Sequence, residues 1–368
     1  MLFSCAGPYG RCHYGASGLF EVSRYGGGDG NPRISAIAYA TMTKMLDGAK
    51  FVRWYPTGSY SSFCLLFNRK FNKGEVFALW TIRGKRKIRM YLRRDLEVKL
   101  TDLMGNSKKV KSNGRILQFE INTSPLWVEN LPSKDLMSIS LGNPVYKEKP
   151  DEKSILISDF RRDNWRIENR KDTDFEENNL DLPRFPGKMK IAKSEEGLKI
   201  ELEKLEKERK LAPFYSILMP QHPIKIPGKP RIIGFYVKGN SGWGRIIPQF
   251  VDSKGEIWTF IGPKDEWNSD DIHSWSSINF DGWKYMEIEL PYTFPCGSPG
   301  PSNSWWKSEK GDGIVDFPLT LTKIFIEQRT HIWYVNKILK VEKPEITLRE
   351  MYISYRDPYE NLKLTENW

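Results

Sequence analysis

The chain of 368 residues has only four cysteines and four histidines. The cysteines follow neither a metal-binding spacing nor a disulfide framework. Cys5 could form a bridge with Cys12, but nothing in the sequence requires it. The histidines are isolated, and no HxxxH or CxxC arrangement predicts a zinc site. These absences argue against a disulfide-stapled protein and against a zinc enzyme.

Long apolar runs and the short motifs of several common enzyme classes are missing as well. No run of eighteen apolar residues occurs, so the sequence predicts no membrane span and no membrane partner. The N-terminal residues lack a basic leader and an apolar core, which argues against a signal peptide. A nucleophile elbow, a Walker loop and a GxGxxG fingerprint are all absent. The residues alone therefore give no support for a nucleotide-dependent enzyme or a serine hydrolase.

Charge is the first feature that is present in excess, with a formal net charge of +11. Much of the excess lies in residues 83–94 and 106–115, which raises the question of a nucleic-acid partner. In the first stretch, Ile88 and Met90 alternate with Arg89 and Tyr91. This alternation is typical of a half-buried strand with a basic solvent face. We therefore predict no nucleic-acid partner.

One helix signal is unusually complete. Asn31 suits the N-cap, Pro32 suits the first helical position and Gly48 suits the C-terminal cap. The predicted apolar face consists of Ile34, Ile37, Ala38, Thr41 and Met45. With the glycine-rich segment before it, this helix forms a β/α segment over residues 1–48.

The rest of the chain is predicted to be mainly β. Short apolar or alternating runs separated by turn sequences predict a small antiparallel sandwich over residues 49–140. A polar, proline-bearing linker is expected at 141–154, a second β domain at 155–358 and a tail at 359–368. Within the second domain, residues 252–255 read as a hairpin turn. Met286, Ile288 and Leu290 alternate with glutamates there, as expected for a strand with one buried face.

These pieces resemble a known architecture. Residues 74–131 resemble the small β-sandwich that follows the catalytic barrel in many TIM-barrel glycoside hydrolases. The residues that carry this resemblance are Thr101, Asp102, Gly105, Asn106, Gly114, Ser124, Pro125 and Trp127. Residues 18–52 look like the last strand, loop and helix of such a barrel. Residues 226–260, 278–291 and 317–327 resemble the jelly-roll, galactose-binding-like modules that follow these sandwiches.

The resemblance implies two antiparallel β-sandwiches, a small accessory sandwich and a jelly roll, preceded by a short β/α remnant. It also implies a polysaccharide-degrading parent enzyme with an extracellular or periplasmic location. In such barrels the catalytic carboxylates lie at strand ends that would precede Met1. Glu21 and Asp29 stand in no recognisable catalytic motif, and the pair Asp270 and Asp271 reads as a solvated loop. We therefore expect no catalysis from this chain.

Sugar recognition requires flat apolar faces and planar hydrogen-bonding groups. Tryptophans in long polar loops have little core in which to be buried, and the loops supply Trp267, Trp275, Trp305 and Trp306. Trp243 stands between two glycines at the mouth of a strand, and Arg245 and Gln249 share one face of that strand if it is regular. We predict these seven residues as carbohydrate-binding. The open alternative is a lid over the sheet for the four loop tryptophans and a plug at the end of the sandwich for Trp243. Trp283 is expected to begin a strand and to cap the core.

The leading hypothesis is a non-catalytic carbohydrate-binding region, with a polysaccharide or oligosaccharide and a catalytic TIM-barrel domain as partners. The first alternative is a pair of structural accessory domains that stabilise a missing barrel. The second is part of an active glycosidase whose site another chain completes. No cofactor is required. A structural calcium, as in many jelly-roll sugar-binding modules, stays open, with Asp159 as one oxygen donor.

Overall fold

A computed structural model describes residues 34–70, 74–177, 185–203, 213–242, 244–259, 278–293, 299–300, 306–307, 311–329 and 345–357. The described chain is mainly β and divides into two compact units. Unit 1 comprises residues 1–58 and 62–145, and unit 2 comprises residues 59–61 and 146–368. Apart from residues 59–61, the chain passes from unit 1 to unit 2 after Val145, within the stretch predicted as a linker.

Helix α1 (Ile34–Leu46) opens the described part of unit 1. It is followed by Gly48, whose φ of 62° places it in the left-handed region that a helix C-terminus favours. Of the predicted apolar face, only Thr41 and Met45 are buried, whereas Ile34 is 72% exposed. Met45 packs with Val76, Ala78 and Trp127. The predicted N-cap and the strand before it lie outside the described residues.

Nine strands follow among the described residues of unit 1. They are β1 (Lys50–Trp54), β2 (Ser62–Asn68), β3 (Glu75–Thr81), β4 (Arg86–Leu92), β5 (Glu97–Thr101), β6 (Ser107–Lys111), β7 (Ile116–Ile121), β8 (Leu126–Glu129) and β9 (Leu136–Leu141). One sheet has the order β1-β2-β3-β8-β5-β6 and the other the order β7-β4-β9, with all pairs antiparallel. Side chains from both sheets form one core, so unit 1 contains the predicted antiparallel sandwich.

The alternation read from the sequence is confirmed in β4. Ile88, Met90 and Leu92 are fully buried, whereas Lys87 and Arg89 are exposed. Because successive side chains of a strand point to opposite faces, the basic residues form the solvent face of the three-stranded sheet.

Unit 2 contains sixteen strands among the described residues, and a short helix, α2 (Thr173–Glu177). The strands are β10 (Ile155–Asp159), β11 (Trp165–Glu168), β12 (Phe185–Pro186), β13 (Met189–Lys193), β14 (Leu198–Leu202), β15 (Pro213–Pro220), β16 (Ile224–Lys225), β17 (Ile232–Asn240), β18 (Arg245–Val251), β19 (Ile257–Thr259), β20 (Asp281–Glu289), β21 (Tyr292–Thr293), β22 (Pro299–Gly300), β23 (Trp306–Lys307), β24 (Thr320–Arg329) and β25 (Glu345–Ser354).

These strands build two large sheets. The six-stranded sheet has the order β13-β14-β25-β17-β20, with β10 paired to β25. The eight-stranded sheet has the order β11-β15-β24-β18-β19-β23. In addition, β12 pairs with β15, and β16 pairs with β24. Core residues come from both, for example Phe235 and Leu348 of the first and Phe250 and Ile324 of the second. Unit 2 is therefore a second sandwich, and only the β12–β15 pair is parallel among the described pairs.

The predicted hairpin turn joins β18 to β19. Asp252 N–H donates to the carbonyl of Glu256, and Gly255 adopts a φ of 90°. The prediction for β20 is also confirmed, because Met286, Ile288 and Leu290 are buried. Among the described residues, no helix has the length and apolar character that crossing a membrane requires.

Candidate functional site

The outer face of the six-stranded sheet in unit 2 carries a cluster of aromatic and basic side chains. In β17, Phe235 and Val237 point into the core, so Tyr236 and Lys238 point outward. The same alternation places Trp283 and Tyr285 of β20 on the outer side. From β25, Arg349 and Tyr352 join them. We call this set the aromatic face: Tyr236, Lys238, Trp283, Tyr285, Arg349 and Tyr352.

Arg349 links two rings of the aromatic face. Its guanidinium carbon lies 4.8 Å from the ring centroid of Tyr236 and 4.8 Å from that of Trp283. Lys238 Nζ lies 6.0 Å from the Trp283 centroid. A cation over an aromatic ring is favoured by about 0.5–1 kcal/mol at exposed sites. Both rings remain half-buried rather than enclosed, so part of each surface faces solvent.

A bulge in β25 positions Arg349. Phe235 pairs with Met351 and Val237 pairs with Leu348, so two residues of β25, Arg349 and Glu350, oppose Tyr236 alone. A bulge of this kind redirects side chains and increases the local twist of the strand. It turns Arg349 towards Tyr236 of the adjacent strand β17 and towards Trp283 of β20, the next strand beyond it.

Three tyrosines form the second half of the aromatic face. The ring centroids of Tyr236 and Tyr285 are 5.1 Å apart, and each lies 6.2 Å from that of Tyr352. Burial, together with the hydrogen bond that the Tyr352 hydroxyl donates to Glu350 Oε2 at 2.9 Å, raises the pKa of Tyr352 to about 12. Burial likewise raises the pKa of Tyr285. Both hydroxyls are therefore neutral at physiological pH. Tyr285 is buried, whereas Tyr352 is half-buried and is the better placed of the two to exchange hydrogen bonds.

Gly234 makes room for this packing. A Cβ atom at this position would lie 1.9 Å from the Tyr285 hydroxyl oxygen and 2.2 Å from Cζ of the same ring. Tyr285 is only 1% exposed, so its ring has little space into which to move. Position 234 must therefore be glycine as long as the Tyr285 ring lies over it.

We expect Gly234→Ala to lower the free energy of unfolding of unit 2 by about 1–3 kcal/mol, the usual range for overpacking. Urea unfolding followed by circular dichroism measures this loss. The control is the same substitution in a Tyr285→Leu background, where the smaller side chain should remove most of the added loss. An equal loss in both backgrounds would show that the tyrosine ring is not the cause.

The charges around the aromatic face are largely balanced. Lys238 Nζ lies 2.7 Å from Glu196 Oε2, and Arg356 Nη2 lies 2.8 Å from Glu287 Oε2. Arg349 Nε forms no hydrogen bond to a described residue and lies 3.8 Å from the Glu350 carboxylate. The face therefore combines flat apolar surface with a guanidinium and neutral hydroxyls, and carries little net charge.

The predicted residues Arg245 and Gln249 lie in the other sheet of unit 2. The Arg245 guanidinium donates from Nε and Nη2 to the two carboxylate oxygens of Glu327, at 3.0 and 2.8 Å. Gln249 Nε2 donates to Thr259 Oγ1 at 2.7 Å. Each residue is only 2% exposed. In this conformation these polar groups serve contacts within the sheet, and their role as hydroxyl partners stays a prediction.

Helix α2 lies against the same face of the eight-stranded sheet. The Phe175 ring stacks on Phe325 with centroids 3.9 Å apart and an interplanar angle of 6°. Lys323 Nζ contacts Asp172 Oδ2 at 2.5 Å, and the Tyr215 hydroxyl donates to Glu176 Oε1 at 2.7 Å. In β15 and β24, then, this face is packed and internally paired rather than open.

The predicted tryptophans are mostly outside the described residues. Trp243, Trp267, Trp275 and Trp305 all fall there, and Trp306 is described only as backbone in β23. Their assignment to a ligand or to a lid stays a prediction.

Trp283 was expected to begin a strand and to cap the core. It does lie near the start of β20, but the second expectation was wrong because its side chain points outward under Arg349. The sequence did not single out Tyr236, Arg349 or Tyr352 either. The alternation in residues 232–240 could have placed Tyr236 on the outer face, but the pairing of β17 with β25 could not be read from it.

Asp159 was considered as a calcium donor. In the structure its carboxylate accepts hydrogen bonds from Arg161 Nε and Nη2 at 2.8 and 2.9 Å. No group of three or more metal-ligating side chains is found within the described ranges. A structural calcium therefore stays a proposal that no described cluster of donors supports.

No protein-family model matches the chain, and no curated protein matches it. Among solved structures, the chain is similar to the family 11 carbohydrate-binding module of a cellulosomal cellulase of Clostridium thermocellum, with 13% identity and a TM-score of 0.30 over 55% of this chain and 95% of that one. A solution structure of CtCBM11 gives 13% identity and a TM-score of 0.28, over 56% of this chain and 96% of the other. An oxalate decarboxylase of Bacillus subtilis gives 7% identity and a TM-score of 0.12, over 84% and 78%. TM-scores this low decide neither the function nor the ligand of this chain.

Proposed function

We propose that this chain is a non-catalytic carbohydrate-binding region of a polysaccharide-degrading enzyme, and that the aromatic face of unit 2 binds the glycan. The observation that carries the proposal is the pair of half-buried rings, Trp283 and Tyr236, joined by Arg349 on the outer side of one sheet. A pyranose offers a flat C–H face that packs on such rings, and its hydroxyls need planar donors and acceptors.

The surrounding groups fit a sugar. The Arg349 guanidinium presents donors in a fixed fork, and the neutral hydroxyl of Tyr352 can exchange hydrogen bonds with sugar hydroxyls. Because the neighbouring ion pairs neutralise Lys238 and Arg356, the face suits an uncharged glycan. The parent enzyme would supply a catalytic barrel as partner and would act outside the cytoplasm. Binding would then raise the local concentration of substrate at that barrel.

Affinity electrophoresis through gels containing neutral polysaccharides tests this proposal. Retardation by one glycan should be weakened by Trp283→Ala by about tenfold in affinity, or about 1.4 kcal/mol, because a stacking surface is lost. Arg349→Met keeps an apolar side chain but removes the guanidinium and its hydrogen-bond donors, so it should also weaken binding. The control is Tyr355→Ala. This variant removes an aromatic side chain that is 42% exposed, lies directly after the last residue of β25 and is not part of the aromatic face.

Other outcomes separate the alternatives. Retardation that survives Trp283→Ala but is lost in a Trp305→Ala/Trp306→Ala variant would move the site from the aromatic face to the loop tryptophans. Retardation in none of the gels would overturn the proposal in favour of structural accessory domains. Release of reducing ends from a retarding glycan would overturn the non-catalytic part.

A further inference from the structure

A basic surface lies in unit 1, on the outer face of the three-stranded sheet. Strand β4 is the central strand of this sheet, between β7 and β9. Its outward residues, and their continuation on both sides, are Lys85, Lys87, Arg89, Tyr91 and Arg93. The four basic residues are exposed, whereas Tyr91 is half-buried. We call Lys85, Lys87, Arg89 and Arg93 the cation row.

The first three members of the cation row are evenly spaced, and Tyr91 stands between them and Arg93. Outward residues of a strand recur every second position, at intervals of about 6.8 Å. A bulge between Tyr91 and Leu92 shifts the register against β9 just before Arg93. Lys85, Lys87 and Arg89 therefore form a short line of positive charges, and Arg93 lies beyond the bulge.

Most of the cation row lacks an acidic partner. Lys85 pairs with Glu120 at 3.4 Å, and both side chains are 49% exposed. Arg89 Nε donates to the amide oxygen of Gln118 at 2.9 Å, and Arg93 Nε donates to the carbonyl of Lys134 at 3.0 Å. Within the described ranges, no ion pair involves Lys87, Arg89 or Arg93. No acidic side chain of the described ranges therefore neutralises these three charges.

The charge excess of the chain belongs to the same sandwich. Residues 49–140 contain eighteen lysines and arginines against seven aspartates and glutamates. This difference equals the formal charge of +11 of the whole chain, and residues 141–368 contain thirty-five basic against thirty-six acidic residues. Charge asymmetry of this size between two units indicates that one of them meets an acidic partner.

We propose that the cation row is a second binding site, which takes a linear acidic polysaccharide. The flanks of the row favour sugar over nucleic acid. Gln118 lies on one side, Ser138 and Ser140 lie on the other, and these groups suit sugar hydroxyls. Single-stranded nucleic acid needs exposed aromatic rings on which its bases can stack. This face offers only Tyr91, which is half-buried. The Tyr91 hydroxyl oxygen lies 3.4 Å from Ser140 Oγ.

This site is independent of the aromatic face, so its test does not depend on the proposed function. The full chain is run through gels containing polygalacturonate, its methyl-esterified uncharged form, or heparin. We expect retardation by at least one of the two acidic polymers, none by the esterified form, and loss of retardation at high salt. Lys87→Gln/Arg89→Gln should lower the affinity by about tenfold, because two charges leave the centre of the row.

The matched control removes two charges elsewhere in unit 1. Lys108→Gln/Lys111→Gln changes exposed residues of β6, an edge strand of the other sheet, and gives the same net charge. An equal loss in both variants would overturn the site, since it would show a non-specific response to net charge. Retardation in neither acidic gel would overturn it as well. Binding to poly(U) without binding to either polysaccharide would replace the proposal with a nucleic-acid partner.

Discussion

Replacing Glu327 with alanine is expected to lower the free energy of unfolding of unit 2 by about 3–5 kcal/mol. Glu327 is fully buried, Arg245 is 2% exposed, and two hydrogen bonds join them across β24 and β18. The substitution leaves the guanidinium in the interior without the Glu327 carboxylate. Breaking a buried pair from one side costs far more than the pair contributes, because the remaining charge keeps its desolvation penalty.

Calorimetry of the full chain measures this loss, because the two units can give separate transitions. The transition of unit 1 serves as an internal reference and should not move. The double variant Arg245→Met/Glu327→Leu is the control, because it removes both charges and keeps the volume. We expect it to regain most of the stability lost in Glu327→Ala. A double variant as unstable as the single one would show that packing, rather than charge, is responsible.

Phe325→Ala should destabilise unit 2 by about 3–5 kcal/mol, the usual range for a buried phenylalanine. Phe325 is fully buried, stacks on Phe175 and contacts the ring of Tyr215 edge-on at 6.0 Å. Its loss leaves a cavity beneath α2 and removes the surface on which that helix rests. Chemical unfolding gives the magnitude, and hydrogen exchange at residues 173–177 reports whether the helix loosens before the sheet unfolds.

Phe325→Leu is the companion variant. It keeps an apolar side chain of similar reach and should cost clearly less than alanine, because the cavity is smaller. If the two variants lose the same stability, the ring stack with Phe175 contributes more than the volume. If neither loses stability, the assignment of Phe325 to the core is wrong.

The sequence predicted the parts of the fold that depend on local alternation. Met286, Ile288 and Leu290 were assigned to a buried face from their spacing alone, and the turn at 252–255 from its glycine and aspartate. Helix α1 was also predicted, but only part of its predicted apolar face is buried. Thr41 and Met45 are buried, whereas Ile34 is exposed. Periodicity indicates which residues can be buried and not what lies opposite them.

The aromatic face could not be predicted in the same way. Tyr236 and Arg349 are separated by more than one hundred residues, and only the pairing of β17 with β25 brings them together. The bulge that turns Arg349 towards two rings leaves no mark in the hydrophobic pattern. The loop tryptophans are predicted to bind sugar because their polar loops offer little core in which to bury them. Trp283 was expected to cap the core because it stands at the start of a strand, whereas its place on the outer side depends on its register in β20.

The Tyr285 ring packs directly against the backbone of Gly234, and this contact has an evolutionary consequence. The two positions share one volume, so a side chain can be added at 234 only when the residue at 285 becomes smaller. Related sequences should therefore change these two positions together, even where every other outward residue of the sheet has drifted. A glycine in the β17 position and a tyrosine fifty-one residues later would then mark the aromatic face in chains whose ligand contacts have been exchanged.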